Sequence, residues 1–177
     1  MTLALLTLLA AGSGDSVAAD IDAFVKAEME RQHIPGLSLL VVKNNKVIRH
    51  AAYGFSDAKN KVPSRITDRY DIGSIGKPMT ATLTMKRVEQ FKLSTSDRVS
   101  KFIPDWPKDW RGIEIRHLLT HQAGIPDYAF FPGIGLNDTY EQKKWNDIIF
   151  AQKLEFPSGT VYQYSNSNYT VLGMILE

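Results

Sequence analysis

Asp71-Ile72-Gly73-Ser74-Ile75-Gly76-Lys77-Pro78-Met79-Thr80-Ala81-Thr82-Leu83-Thr84-Met85-Lys86 is the stretch on which the fold turns. Its second half alternates: Met79, Ala81, Leu83 and Met85 are separated by Thr80, Thr82, Thr84 and Lys86, the template of a half-buried strand. Its first half argues the other way. Ser74 and Lys77 are three apart, and positions i and i+3 share a face on a helix, whereas strand geometry puts them on opposite faces. A serine hydroxyl is a poor nucleophile at neutral pH unless a base takes its proton. A lysine pushed toward neutrality by burial or by nearby cations can be that base, or assist another. At the opening of a helix, unpaired backbone N–H groups and the positive dipole end also face a reacting carbonyl. Pro78 is tolerated only near a helix start, which fixes where such a helix would begin. Periodicity therefore predicts a strand here and chemistry a helix.

Ser-x-x-Lys alone is a weak signal, since Ser56-Asp57-Ala58-Lys59 repeats it in a stretch without helical periodicity. A second constellation, Tyr164-Ser165-Asn166, follows the turn Pro157-Ser158-Gly159-Thr160 and the aromatic Tyr162. A tyrosine beside a lysine can have its pKa lowered and shuttle a proton. An asparagine offers both a donor and an acceptor to a substrate amide. A Ser/Asn-rich helix cap explains Ser165, Asn166 and Asn168 equally well at this point.

Outward from these segments the chain reads as mixed helix and sheet. Ile21, Phe24, Val25 and Met29 recur at helical spacing until Pro35. Leu37 to Val42 and Val47 to Ala52 are apolar runs joined by Asn44-Asn45, whose tolerance of positive φ predicts a hairpin closed by Gly54. Residues 56 to 71 are polar, contain Pro63 and read as a loop. Pro104 and Pro107, interleaved with Trp106 and Trp110, predict a stiff connector. Ile115, Leu118 and Leu119 share one face of a short helix that Gly124 is expected to end. Thr139 and Gln142 have capping-box spacing ahead of Trp145, Ile148 and Ile149. A last helix is expected from about Asn168, with Tyr169, Leu172 and Leu176 in register, and the abrupt stop at Glu177 predicts a C-terminally truncated fragment.

Taken together, these segments resemble the serine β-lactamase and penicillin-binding-protein family, particularly its class C-like branch, which includes D-Ala-D-Ala carboxypeptidases and esterases. Asp71 to Ala81 is similar to the family's helical nucleophile segment. Ile115-Arg116-His117-Leu118-Leu119-Thr120-His121-Gln122-Ala123-Gly124-Ile125-Pro126 is similar to its leucine-threonine-histidine segment. Phe156 to Thr160, continuing to Tyr164-Ser165-Asn166, is similar to the approach to its Tyr-x-Asn motif. The resemblance implies an α+β fold, an antiparallel sheet flanked by helices plus a mostly helical domain, with residues 20–66 supplying the first helix and hairpin and 67–177 the nucleophile helix and helical domain. It settles 79–86 as a buried helix with Lys86, Arg87 and Glu89 toward its exposed end. It makes Ser74 the acylated nucleophile, Lys77 its proton partner, Tyr164 a general base and Asn166 a holder of the substrate or of the Lys77 ammonium. The implied substrate is a β-lactam, a D-Ala-D-Ala-type amide or an ester, and no cofactor is implied.

The sequence departs from the family in one respect: no Lys-x-Gly or His-x-Gly, the family's third motif on a C-terminal strand, occurs anywhere. That strand carries a second oxyanion donor, and loss of one such donor costs on the order of 10²–10³ in rate. It also adds sheet strands, so the hairpin is expected to expose apolar edges. The alternatives to an enzyme are therefore a non-catalytic binding or scaffold module on the same fold, and an inactive fragment.

Composition narrows the field further. The 177 residues are 44% hydrophobic and 23% charged, enough for a sizeable core and too apolar for a disordered chain. There is no Cys, which removes thiolate metal sites and cysteine nucleophiles. Lys and Arg number 21 against 19 Asp and Glu and are scattered, so nucleic acid is not an expected partner. His117 and His121 have zinc-pair spacing, but Leu118 stands where a metalloprotease carries Glu, and hydrogen-bonded helix histidines are the preferred reading. The apolar run Thr2 to Ala11 is too short to cross a bilayer, which needs roughly 20 residues. With Val17-Ala18-Ala19 after it, residues 1–19 read as a signal peptide cut after Ala19, and the protein as secreted or periplasmic, although no Lys or Arg precedes the run. The alternative is an apolar N-terminal helix.

Overall fold

The structure, a computed structural model, describes residues 14–134 and 141–177. The chain divides into two compact units at Asp71/Ile72.

The first unit is a helix and a three-stranded antiparallel sheet. Helix α1 spans Gly14–Gln32 and so begins within the predicted leader, whose residues 1–13 lie outside the described residues. Strands β1 (Gly36–Lys43) and β2 (Lys46–Asp57) pair with Gly36 opposite Gly54 and Lys43 opposite Lys46. The two-residue turn works as expected: Asn44 and Asn45 both take positive φ, 51° and 59°, the geometry that matches strand twist. Residues 56–71 are not simply a loop, because β2 continues to Asp57 and Val62–Pro63 returns as β3, paired to Phe55 and Asp57. Proline is admissible there because β3 is an edge strand. Met29, Ala51 and Tyr53 form a buried cluster with Val25, Ile34, Leu37 and Leu39 against it. Arg49 donates to both carboxylate oxygens of Asp22 at 2.7 and 2.8 Å, and the Tyr53 hydroxyl donates to the same group, tying β2 to α1. On the other face Leu40, Val42 and Val47 are exposed.

The second unit is helical. A 3₁₀ turn, Gly73–Ile75, leads into α2, Gly76–Glu89. Short 3₁₀ turns at Val99–Lys101 and Lys108–Trp110 precede α3 (Ile115–Leu119), and a further one at Tyr128–Phe130 precedes α4 (Gln142–Phe150) and α5 (Asn166–Leu176). The core joins Val99, Ile103, Trp106, Trp110, Ile113, Ile115, Leu118, Ile149, Val171 and Leu172. Trp106, Trp110 and Phe150 meet edge to face at 5.3 to 6.0 Å, and the Trp106 indole donates to the Trp110 carbonyl at 3.0 Å. The Pro/Trp connector is thus part of the core.

Three element limits differ from the sequence reading. Helix α3 stops at Leu119, because Thr120 caps it and His121 turns left-handed at φ 55°; Gly124 lies beyond the helix. Helix α5 begins at Asn166, two residues before the expected start, with Ser165 in extended conformation at its cap. Helix α4 is capped by Glu141, and Thr139 lies outside the described residues.

Helix α2 confirms the helical reading of 79–86 and corrects its burial. Residues two apart on a helix are about 200° apart, so an alternating pattern cannot place its apolar members on one face. Met79, Leu83 and Met85 are 56%, 56% and 47% exposed, and Thr84 is the buried residue. The less exposed face of α2 is instead a stripe through Lys77, Ala81, Thr84 and Val88 at spacings of four and three, flanked by Gly76 and Thr80, and α2 packs on α5. The threonines fit because each hydroxyl donates to the carbonyl four residues back: Thr80 to Gly76, Thr82 to Pro78 and Thr84 to Thr80, at 3.3, 2.7 and 2.9 Å. Lys86, Arg87 and Glu89 are exposed, as expected.

The segment 155–163 runs beside 121–124, joined by backbone bonds from Glu155 to Gly124, Gly159 to Gln122 and Gln163 to His121 at 2.8 to 2.9 Å. This seam is close enough that a Cβ on Gly124 would strike the Phe156 carbonyl, and Gly124 also sits at φ 81°. Gly124→Ala is therefore expected to destabilise the second unit by about 1–3 kcal/mol from backbone strain alone, before the clash is counted. Thermal melting followed by tryptophan fluorescence checks this, because Trp106, Trp110 and Trp145 all lie in that unit.

Candidate active site

Ser74 sits in the 3₁₀ turn Gly73–Ile75, which Gly73 enters at φ 50°, and it is exposed. It thus precedes α2 rather than opening it. Lys77 is the second residue of α2 and the first member of its less exposed stripe. Lys77 Nζ donates to Ser74 Oγ at 3.1 Å. Tyr164 ends the seam segment, which carries it to the same place: Tyr164 Oη and Ser74 Oγ are 2.8 Å apart. Asn166, at the start of α5, accepts from Lys77 Nζ through Oδ1 at 2.7 Å. The four residues singled out in the sequence therefore converge on one spot, although 89 residues separate Lys77 from Asn166.

The environment of Tyr164 is electrostatically uneven. Partial burial pushes its phenol up, but hydrogen bonds from Lys77 and Ser74 and the charge of Lys77 outweigh burial and leave its pKa below the ordinary tyrosine value. Lys77 Nζ also lies 4.9 Å from the Tyr164 ring centre and 5.9 Å from that of Tyr169. These contacts favour the phenolate and hold the ammonium against aromatic faces.

Two more residues complete the site. His121, 9% exposed, packs between Tyr164 and Tyr169 with ring centres 4.5 and 5.2 Å away. Its Nδ1 accepts from the Ser165 backbone N–H at 3.3 Å, so the cap of α5 is fixed to the same ring that supports Tyr164. Asp127, also 9% exposed, accepts from Asn166 Nδ2 through both carboxylate oxygens at 3.1 and 3.0 Å. Asp127 escaped the sequence reading: it follows directly on the segment ending at Pro126, and its local signal is that of an Asx cap, which it also is, accepting from Ala129 N at 3.0 Å.

The remaining candidates separate from this site. Ser56 of the other Ser-x-x-Lys lies in β2, where its hydroxyl faces the Val62 and Pro63 carbonyls. His117 and His121 do not form a pair on one helix, since His121 lies past the end of α3 and His117 Nδ1 accepts from Glu114 N at 3.1 Å as part of a capping box. Among the described residues no group of three or more His, Cys, Asp or Glu could hold a metal ion.

A family model described as Beta-lactamase matches residues 21–177. The chain belongs to the beta-lactamase family. It is 33% identical over 166 residues to Protein flp of Staphylococcus aureus, covering 89% of this chain and 32% of that protein. It is 27% identical over 144 residues to penicillin-binding protein 4* of Bacillus subtilis, covering 79% of this chain and 32% of that protein. A solved class C beta-lactamase superposes with a TM-score of 0.77 at 26% identity, covering 94% of this chain and 45% of that one. The chain thus spans about a third of the length of the curated relatives it matches. The beta-lactamase/transpeptidase α+β fold and its kinship with serine hydrolases are thereby settled. Among the described residues no helix is long and apolar enough to cross a membrane.

The two histidines give this beta-lactamase-family chain a defined pH response. Burial is the main cause that lowers the pKa of both His117 and His121, with the Lys77 charge adding to the shift at His121. The folded state therefore holds fewer protons than the unfolded chain just below the ordinary histidine value of about 6.5. Stability is expected to be full above that value and to fall as pH drops from 6.5 toward the folded pKa values. Melting temperatures of wild type and His121→Gln across pH 7 to 5 check this, the variant showing a shallower decline.

Proposed function

We propose that the protein is a serine hydrolase in which Ser74 attacks an acyl carbonyl and carries the acyl group as an ester. The observation that carries this reading is the placement of Ser74 Oγ between Tyr164 Oη at 2.8 Å and Lys77 Nζ at 3.1 Å. Tyr164, its pKa lowered by Lys77 and Ser74 against the opposing effect of burial, takes the Oγ proton as the oxygen–carbon bond forms. The same proton passes to the leaving amine or alcohol as its bond to the carbonyl carbon breaks. Water then attacks the ester, Tyr164 receives its proton, and Ser74 regains a hydrogen as the acid leaves. Lys77 stabilises the phenolate through charge and holds Ser74 Oγ, while Asn166, of the two roles open to it, takes that of fixing Lys77. The substrates this chemistry fits are a β-lactam, a D-Ala-D-Ala-type amide or an ester, as the names of the beta-lactamase and penicillin-binding relatives suggest. Such substrates agree with the export signal read in residues 1–19 and with a secreted or periplasmic location.

Two measurements test the reading. Ser74→Ala is expected to abolish labelling by a fluorophosphonate or a fluorescent penicillin while leaving stability within about 0.5 kcal/mol, as for an ordinary exposed substitution. Retention of labelling by the variant, or failure of wild type to react with either probe, overturns the nucleophile assignment and leaves a binding module on a hydrolase fold. Tyr164→Phe is expected to slow acylation by about 10²–10⁴-fold. It is also expected to remove the rise of rate with pH, a rise that in wild type falls below the usual tyrosine range because the pKa is lowered.

A further inference from the structure

The amide of Asn166 is held between two groups of opposite chemistry. Lys77 Nζ, which can only donate, gives a hydrogen to Oδ1 at 2.7 Å. The Asp127 carboxylate, which when ionised can only accept, takes hydrogens from Nδ2 at 3.1 and 3.0 Å. A flipped amide would set NH₂ against the ammonium and C=O against the carboxylate, so one orientation satisfies the network and the other satisfies neither end. Asparagine alone has no such preference. Between the lysine and water, the ammonium alone would favour this orientation, but nothing would hold the far end of the amide in place.

We infer that Asp127 is a positioning residue for acylation: by locking the Asn166 amide, it fixes the Lys77 ammonium at Ser74 Oγ. Asp127 is itself built in. Its Oδ1 accepts from Ala129 N at 3.0 Å, and its loop is pinned to α5 by Ser167, whose hydroxyl donates to the Pro126 carbonyl at 2.6 Å and accepts from Tyr128 N at 3.0 Å. The chain Asp127–Asn166–Lys77–Ser74 thus joins a nearly buried carboxylate to the exposed hydroxyl through three hydrogen-bonded contacts. Asp127 touches neither Ser74 nor Tyr164 in this network and acts through Asn166. The inference rests on the assignment of Ser74 as nucleophile.

The test is a double-mutant cycle on the rate constant for Ser74 modification by a fluorophosphonate, using the full chain. Asp127→Asn keeps the shape and the bond to Ala129 but removes the acceptor-only end of the lock. It is expected to slow labelling about 10- to 100-fold, the scale of a misplaced catalytic group. Asn166→Ala slows labelling too, and in that background Asp127→Asn is expected to have no further effect, since residues acting through one another are not additive. Additive effects of Asp127→Asn and Asn166→Ala, or an unchanged rate in Asp127→Asn alone, overturn the inference while leaving the nucleophile in place. An unreactive wild type overturns both. Should Asp127→Asn fail to fold, the Asn166 side-chain amide protons of the wild type carry the test: exchange slower than that of a free asparagine supports the lock, and free-asparagine exchange refutes it.

Discussion

The seating of α2 on α5 is the constraint from which the site follows. The less exposed stripe of α2 runs through Lys77, Ala81, Thr84 and Val88. The first is a cation, delivered by the same helical phase to the start of α5, where the Asn166 carbonyl receives it. Ser74, in the 3₁₀ turn just before α2, lies within reach of the same ammonium. The small side chains at 81 and 84 let the two helices approach, and the Thr84 hydroxyl costs little when buried because the Thr80 carbonyl satisfies it.

The second support is the seam between 121–124 and 155–163. Three backbone hydrogen bonds align the two segments, and the left-handed turn at His121 aims its ring under Tyr164. The phenol is therefore held from below by an imidazole and from the side by a lysine, with its backbone one residue before the cap of α5. Polar side chains at such a junction are costly unless each finds a partner. Lys77, Asn166, Asp127 and His121 partner one another or the backbone, which offsets much of the cost of burying them, although Ser165 Oγ and Asn168 Oδ1 beside them find no partner.

Much of this was legible in the sequence, and the failures have physical causes. Ser74, Lys77, Tyr164 and Asn166 could be picked out by residue type and spacing once the segments were recognised together. The hairpin was legible because Asn44-Asn45 has few other uses. The burial of α2 was not, since its inner stripe is Lys, Ala, Thr and Val, and an apolar count looks to Met79, Leu83 and Met85 instead. The short β3 was hidden because two residues, one of them proline, carry no periodicity. The early end of α3 turned on His121 adopting a left-handed conformation that a β-carbon disfavours, which no local signal announces. Asp127 was invisible for a different reason: its partner is 39 residues away, and only the folded chain shows that a cap residue also faces Asn166.

Gly124 and Gly159 lie along the seam and take part in its backbone hydrogen bonds. One backs onto the Phe156 carbonyl and the other onto the His117 ring, both with left-handed backbone. Replacements at both positions are expected to be disfavoured by the left-handed backbone as well as by clearance. Intolerance at Gly124 measures how tightly two stretches of main chain are laid together, and at Gly159 how closely main chain backs onto a ring.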